Sequence, residues 1–384
     1  MKFVKISCAS WDPAGSELAL RYRTILPDRK KMTANKLYHS SLKYLLLFSI
    51  VASFSCTRNF SRISSEENKY NLTTVSDLED NAYSQKIEDF YDTGKEGFFK
   101  GKADIQIYYR IFERRSSERA ILISSGRTEA AIKYKELIFD LYNNGYSVYI
   151  HDHRGQGLSG RMTENPQMGY IDDFQYYVDD MKYFYDHYLK PGRYEKIYLL
   201  AHSMGGAIGM TYMEQHPDDF KAAAFSSPML GLKPPICGIV KVLEGDEPEF
   251  AMGESEYKDD KSGFKGNYLT GSELRYERMI DAFDEVPEAR LGGATYSWVY
   301  KSCQQFEYLF NNVDRINTPF ILFSAENEQI VYPYAHQKFI TAALKSGKEC
   351  RAYEVEDAQH ELLIEKDVQR IETINKILDF YSEY

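Results

Sequence analysis

From Phe98 onward, short apolar runs alternate with stretches whose apolar residues recur every three to four positions. Ile105 to Phe112 alternates like a half-buried antiparallel strand, and Ala120–Ile123 (AILI) is a continuous apolar run of buried-strand length. A helical period with Ile132, Leu137, Ile138 and Leu141 follows, stopped by Gly145. Further strands are predicted at Ser147–Ile150, Ile197–Leu200, Ala222–Phe225, Pro319–Ser324 and Arg351–Val355. Helices are predicted at Phe174–Leu189, after Pro319–Ser324, and from about Val368 to Tyr381. Strands alternating with helices predict an α/β fold with a mostly parallel, doubly wound sheet.

The alternation stops between Pro228 and about Asn317. The core is therefore expected in two halves, 96–228 and 318–384, with residues 229–317 inserted as a cap over the carboxyl ends of the strands. Residues 57–95, rich in Ser, Asn, Asp and Glu, read as a polar linker. Residues 1–56 read as a leader: Lys36 and Lys43 precede an apolar run, Tyr44 to Phe54, that ends at small residues and Cys56. This resembles a lipoprotein signal with Cys56 lipidated, ranked above a simply cleaved signal and an uncleaved anchor. It also points to Met32 as the start. Such a run is too short to span a bilayer comfortably.

The stretch Lys196 to Thr211, KIYLLAHSMGGAIGMT, places Ser203 between a strand and a helix, as a nucleophile elbow requires. Ala201 stands where glycine is usual, and Gly205 and Gly206 let the helix start close to the strand. A serine hydroxyl needs a base, and the base needs an orienting acid. In this fold the order is serine, acid, histidine, each on a loop after a strand. His360 lies after the last strand and before the last helix. The other histidines fit less well: His336 falls inside a predicted helix, His151 and His153 precede the serine, and His202 adjoins it with a side chain expected to point away. Two glutamates follow the penultimate strand; acid-x-apolar-Val spacing favours Glu328, with Glu326 as the alternative. The oxyanion donors expected are the backbone N–H of Met204 and, after Gly126, that of Arg127.

Net charge is −10 and no basic stripe is present, which disfavours a nucleic-acid partner. The five cysteines are sparse and show no C-x-x-C pair, arguing against a disulfide framework and against a zinc site. The acidic run 244–260 reads first as a solvated face, and otherwise as a surface that repels anionic lipid or welcomes a cationic choline head group.

Five separated segments carry a family resemblance over roughly residues 98–384: SSGRTEAAIKY (124–134), DHRGQGLSGR (152–161), LLAHSMGGAI (199–208), LGGATYSWV (291–299) and AQHELLIEKD (358–367). In this order they resemble the α/β-hydrolase branch that contains monoacylglycerol lipases and bacterial lysophospholipases. The resemblance implies Ser203 as nucleophile, Glu328 as acid, His360 as base, and Arg127 and Met204 at the oxyanion positions. It implies acyl transfer to Ser203 from a lysophospholipid or monoacylglycerol, without metal or organic cofactor; the leader adds the expectation of a membrane surface reached through an N-terminal anchor. The cap would shape an acyl tunnel, with Tyr296 and Trp298 either lining it or packing the cap's own core. Ser125-Gly126 replaces the His-Gly usual in monoacylglycerol lipases, and glutamate replaces the commoner aspartate. Both departures lean toward the lysophospholipase type. A thioesterase or general carboxylesterase on the same triad is the alternative, and a non-catalytic surface lipoprotein is the alternative of another class. Epoxide and haloalkane hydrolases place Asp where Ser203 stands.

Overall fold

The structure, a computed structural model, describes residues 59–63, 67–192, 194–258 and 263–384. The leader, the Met32 start and Cys56 lie outside these residues. Strand β1 (Ser61–Ile63) and helices α1 (Val75–Glu79) and α2 (Asn81–Asp92) precede the hairpin of β2 (Lys95–Lys100) and β3 (Gln106–Phe112). Then come β4 (Arg119–Ser124), α3 (Lys135–Asn143), β5 (Ser147–His151), α4 (Gln175–Phe184), β6 (Lys196–His202), α5 (Met204–Gln215) and β7 (Ala222–Ser226). Helices α6 (Ile236–Leu243), α7 (Glu273–Glu285) and α8 (Tyr296–Asn312) separate β7 from β8 (Phe320–Ala325). The chain closes with α9 (Pro333–Lys345), β9 (Cys350–Val355) and α10 (Asp367–Glu383).

The strands form one sheet in the order β1-β9-β8-β7-β6-β4-β5-β3-β2. Pairing is parallel from β5 across to β1, and antiparallel where β3 meets β5 and β2. This is the doubly wound sheet that the alternation predicts. Both faces are buried, so the central strands carry continuous apolar runs whose successive residues enter opposite cores. In β6, Ile197, Leu199 and Ala201 join one core while Tyr198 and Leu200 join the other. In β8, Phe320 and Leu322 divide in the same way from Ile321 and Phe323.

Three features depart from what the sequence suggested. Residues 57–95, expected as a polar linker, contain β1, which pairs in parallel with β9, and two helices. The polar residues that gave the segment its linker character serve as caps and buried ties. Thr74 and Asp77 form a capping box on α1, and Asp80 caps α2. Thr73 donates its hydroxyl to the buried Asp140 carboxylate at 2.7 Å, and its carbonyl accepts from Arg275 and Arg370.

The second correction concerns the cysteines: Cys237 of α6 and Cys303 of α8 are joined by a disulfide, 66 residues apart in sequence. A pair on two helices inside an insertion carries no local spacing signal. Third, α8, within the stretch expected as cap, belongs partly to the core: Phe306 and Leu309 join the core that holds α5, and Gln305 donates to Thr211.

Helix α6 buries only Val240, while Ile239 and Val242 are exposed. The disulfide is thus its main tie to α8. Closing a loop of this length is worth about 4 kcal/mol in the chain-entropy account. Replacing both cysteines with serine is expected to lower the thermal midpoint by several degrees, measured by calorimetry without reductant. An unchanged midpoint would mean that packing alone holds α6.

Candidate active site

Ser203 sits on the turn between β6 and α5 with φ +49° and ψ −119°, a conformation that costs a non-glycine residue about 1–3 kcal/mol. Hydrogen bonds fix it: Ser203 N–H donates to Ser226 O at 3.1 Å, and Ser203 O accepts from Gly206 and Met229 at 2.9 and 2.8 Å. The two glycines that follow are steric necessities. A Cβ on Gly205 would lie 2.1 Å from Ser124 O, and one on Gly206 would lie 2.4 Å from Pro228 Cβ. Ala201 is fully buried and its methyl group fits, so the departure from glycine is tolerated.

The structure brings the three sequence-predicted polar residues into one hydrogen-bonded chain. His360 Nε2 lies 3.0 Å from Ser203 Oγ, and His360 Nδ1 lies 2.8 Å from Glu328 Oε2. The other Glu328 oxygen accepts from the N–H groups of Ile330 and Val331 at 2.8 and 3.1 Å. Burial alone would push the Glu328 carboxyl up. The His360 hydrogen bond and charge, with the two backbone donors, outweigh it and hold the group at about 2. Glu326, the alternative acid, is exposed and turns the other way: it accepts from Asp357 N–H and pairs with Arg62.

Met204 opens α5, so its N–H is one of the helix-initial donors without an intrahelical acceptor. The loop carrying Arg127 is pinned from below. The Glu129 carboxylate accepts the Gly126 N–H, and the Gln156 amide donates to Gly126 O and Glu129 O at 2.7 and 2.8 Å. Ser203, His360 and Arg127 open into one cavity of about 760 Å³, walled by apolar residues such as Met229, Leu232, Val240 and Leu291. Tyr296 and Trp298 both line it, and Trp298 also packs in the core and donates from Nε1 to Tyr177 OH at 3.2 Å. The Arg127 guanidinium stacks over the Trp298 ring at 5.0 Å and donates to Gly292 O at 2.8 Å.

Sequence reasoning passed over several residues that support this site. His336 of α9 donates from Nε2 to Pro228 O at 2.7 Å and accepts at Nδ1 from the Ser324 hydroxyl at 2.9 Å, fixing the proline that packs on Gly206. Burial lowers it to about 4, so it is neutral. Gln156, Glu129, Lys133 and Glu361 were likewise missed. The one available signal was position, since each lies inside a segment that carries the family resemblance.

A family model described as serine aminopeptidase, S33, matches residues 115–367. The chain belongs to this serine-hydrolase family. This family member is 35% identical over 309 residues to Lysophospholipase L2 of Escherichia coli (strain K12), an alignment covering 78% of this chain and 90% of that one. It is 31% identical over 234 residues to the Monoglyceride lipase of Mus musculus, covering 61% and 73% respectively. Among solved structures, it resembles a soluble variant of monoglyceride lipase from Saccharomyces cerevisiae, with TM-score 0.60, 19% identity, and coverage of 76% of this chain and 94% of that one. A carboxyl esterase from Bacillus coagulans gives TM-score 0.63 at 14% identity, covering 76% and 98%. These two structures share the α/β-hydrolase fold with this chain.

The two glutamates give a direct test. Glu328→Gln is expected to lower kcat by about 10³–10⁴-fold, the loss seen when an orienting carboxylate becomes an amide. Glu326→Gln is expected to stay within a few-fold of the parent in the same steady-state assay, and a reversed order would move the acid to Glu326.

Proposed function

We propose that this carboxylic ester hydrolase removes the acyl chain of lysophospholipids, with monoacylglycerols as weaker substrates, through an acyl-enzyme on Ser203. The observation that carries the reading is the Ser203–His360–Glu328 hydrogen-bonded chain at the floor of a large apolar cavity. Ser203 Oγ attacks the ester carbonyl while His360 Nε2 takes its proton. Glu328 stays ionised and stabilises the imidazolium that forms. The negative carbonyl oxygen of the tetrahedral intermediate is received by the N–H groups of Met204 and Arg127. His360 then protonates the departing glycerol oxygen, and water releases the fatty acid by the same steps in reverse. An alkyl chain matches the apolar walls, each buried methylene contributing about 0.8 kcal/mol.

The head-group preference rests on two supports. One is the identity to Lysophospholipase L2 over nine-tenths of that chain. The other is the Arg127 guanidinium: it lines the cavity, its Nε is buried without a hydrogen-bond partner, and Glu254 offsets part of its charge. A buried cation with a free donor suits a phosphodiester better than a neutral glycerol. We place the enzyme outside the cytoplasm at a lipid surface. The leader-like run before Cys56 supports this, as does the Cys237–Cys303 disulfide, which persists in oxidising compartments. Among the described residues, no helix is long and apolar enough to cross a membrane.

The test is kcat/KM on lysophosphatidylglycerol, lysophosphatidylcholine and monoacylglycerol of one acyl length, with acyl-CoA and p-nitrophenyl esters alongside. Lysophospholipids are expected to lead, and Arg127→Gln to lower the lysophospholipid-to-monoacylglycerol ratio about tenfold or more. A fluorophosphonate probe should label Ser203 in the parent and fail after His360→Ala; absence of labelling in the parent would favour a binding protein. A preference for acyl-CoA would favour a thioesterase.

A further inference from the structure

Four buried ionisable side chains lie beside the Ser203–His360 pair, and the acyl-transfer steps use none of them directly. Lys133 contacts the Glu129 carboxylate and lies 2.7 Å from Glu361 Oε1. Glu361 Oε2 lies 3.2 Å from His202 Nε2, and Glu129 Oε1 lies 3.6 Å from the same nitrogen. On the other side of the ring, His202 Nδ1 lies 3.0 Å from Ser226 O, which can only accept. An imidazole whose Nδ1 meets Ser226 O at 3.0 Å and Ser226 Oγ at 3.2 Å, and whose Nε2 faces two carboxylates, is favoured in its protonated form. Burial opposes that charge, but the carboxylates overcome it and raise the group above its ordinary value. Two cations and two anions therefore balance. The ligand atoms of Glu129, His202 and Glu361 lie within 4.8 Å of one another, spacing that would suit a metal ion, and Lys133 supplies a cation there instead.

Burying four ions costs several kcal/mol each before pairing, and apolar replacements of such clusters are often neutral or stabilising. Stability alone is thus a poor reason for this arrangement, whereas its connections are specific. Glu129 also holds the Gly126 N–H of the loop that carries Arg127. His202 precedes Ser203 and Glu361 follows His360. The His202 and His360 rings are 4.8 Å apart.

We propose that Lys133, Glu129, His202 and Glu361 form a charge-balanced positioning unit that ties together the loops of Ser203, His360 and Arg127, so that a change in the unit's net charge is felt at the Ser203–His360 pair. The proposal rests on the acyl-transfer reading of His360. The groups that face His360 are Ser203, Glu328 on the β8–α9 loop, neutral His336 on α9, and the His202 and Glu361 members of the cluster. Of the charged groups, only Glu328 lies outside the unit, and it stays ionised down to about pH 2.

The signs follow from the charge count. Lys133→Met leaves the cluster at −1, which favours protonated His360, so the acid limb of the pH profile of kcat/KM moves to higher pH. Glu361→Gln leaves it at +1 and moves the limb to lower pH. At an effective dielectric constant of about 20, one unit charge within roughly 10 Å shifts a titration by on the order of one pH unit, and that is the size of displacement the profile should show. The double variant restores the balance, and its limb should return to the parental position.

The experiment is the pH profile of the three variants on a soluble neutral ester, with circular dichroism to verify folding. Opposite shifts in the single variants, cancelling in the double, support the unit. Shifts in one direction, or none in folded variants, overturn it. If either single variant fails to fold, the charge-neutral double decides: a displaced limb overturns the proposal. Loss of fluorophosphonate labelling in the parent would instead refute the acyl-transfer reading.

Discussion

The site depends on one backbone constraint: Ser203 must hold a positive φ at the end of the central strand. No local preference of serine favours that conformation. It persists because the neighbours over-determine it. Strands β4 and β7 flank β6, Ser226 takes the Ser203 N–H, and Met229 and Gly206 hold its carbonyl. The helix can begin at once only because Gly205 lets Ser124 O approach and Gly206 admits Pro228. The turn therefore couples the serine to the loop after β4 and to the loop after β7. His336 extends the coupling to α9 by holding Pro228 O.

Polar groups that would be liabilities elsewhere are placed where this scaffold can satisfy them. The N-terminal segment illustrates the principle away from the site. Arg275 of α7 and Arg370 of α10 converge on Thr73 O and on the Glu136 and Asp140 carboxylates of α3. This buried network fixes the first helical segment, the cap and the final helix to one point. Removing Arg370 would leave the buried Asp140 carboxylate without its cation, a far larger penalty than losing a surface pair.

The fold was legible because its signal is repetitive: apolar runs with intervening helical periods state the layers directly. Ser203 and His360 were legible because the elbow and the last strand–helix junction are fixed by chain order. Glu328 was preferred over Glu326 from spacing, and the structure separates them by direction, one inward on His360 and one outward on Arg62. Other features were hidden for physical reasons. The Cys237–Cys303 bridge joins residues whose proximity arises only when α6 meets α8. The segment 57–95 has a disordered composition, yet its polar side chains act as caps and buried ties that composition does not weigh. Lys133 and Glu361 look like ordinary surface charges in sequence, and only the tertiary fold buries them together.

The electrostatics of the site follow from the contrast between two kinds of lining. Most of the cavity wall around Ser203 is apolar, and the ions Lys133, Glu129 and Glu361 form one fixed, paired patch of its lining. A low-dielectric setting strengthens each of those interactions, and an alkyl chain in the cavity would strengthen them further by excluding water. Glu328 shows how the balance is struck. Its carboxylate would be expelled from such an environment, yet it stays ionised because His360 and the N–H groups of Ile330 and Val331 satisfy it. Three donors on one carboxylate also fix its direction, so the imidazole ring that it orients has one productive pose. The turn at Ile330 and Val331 fits a side chain of glutamate length, since its N–H groups close back onto the Glu328 carboxylate.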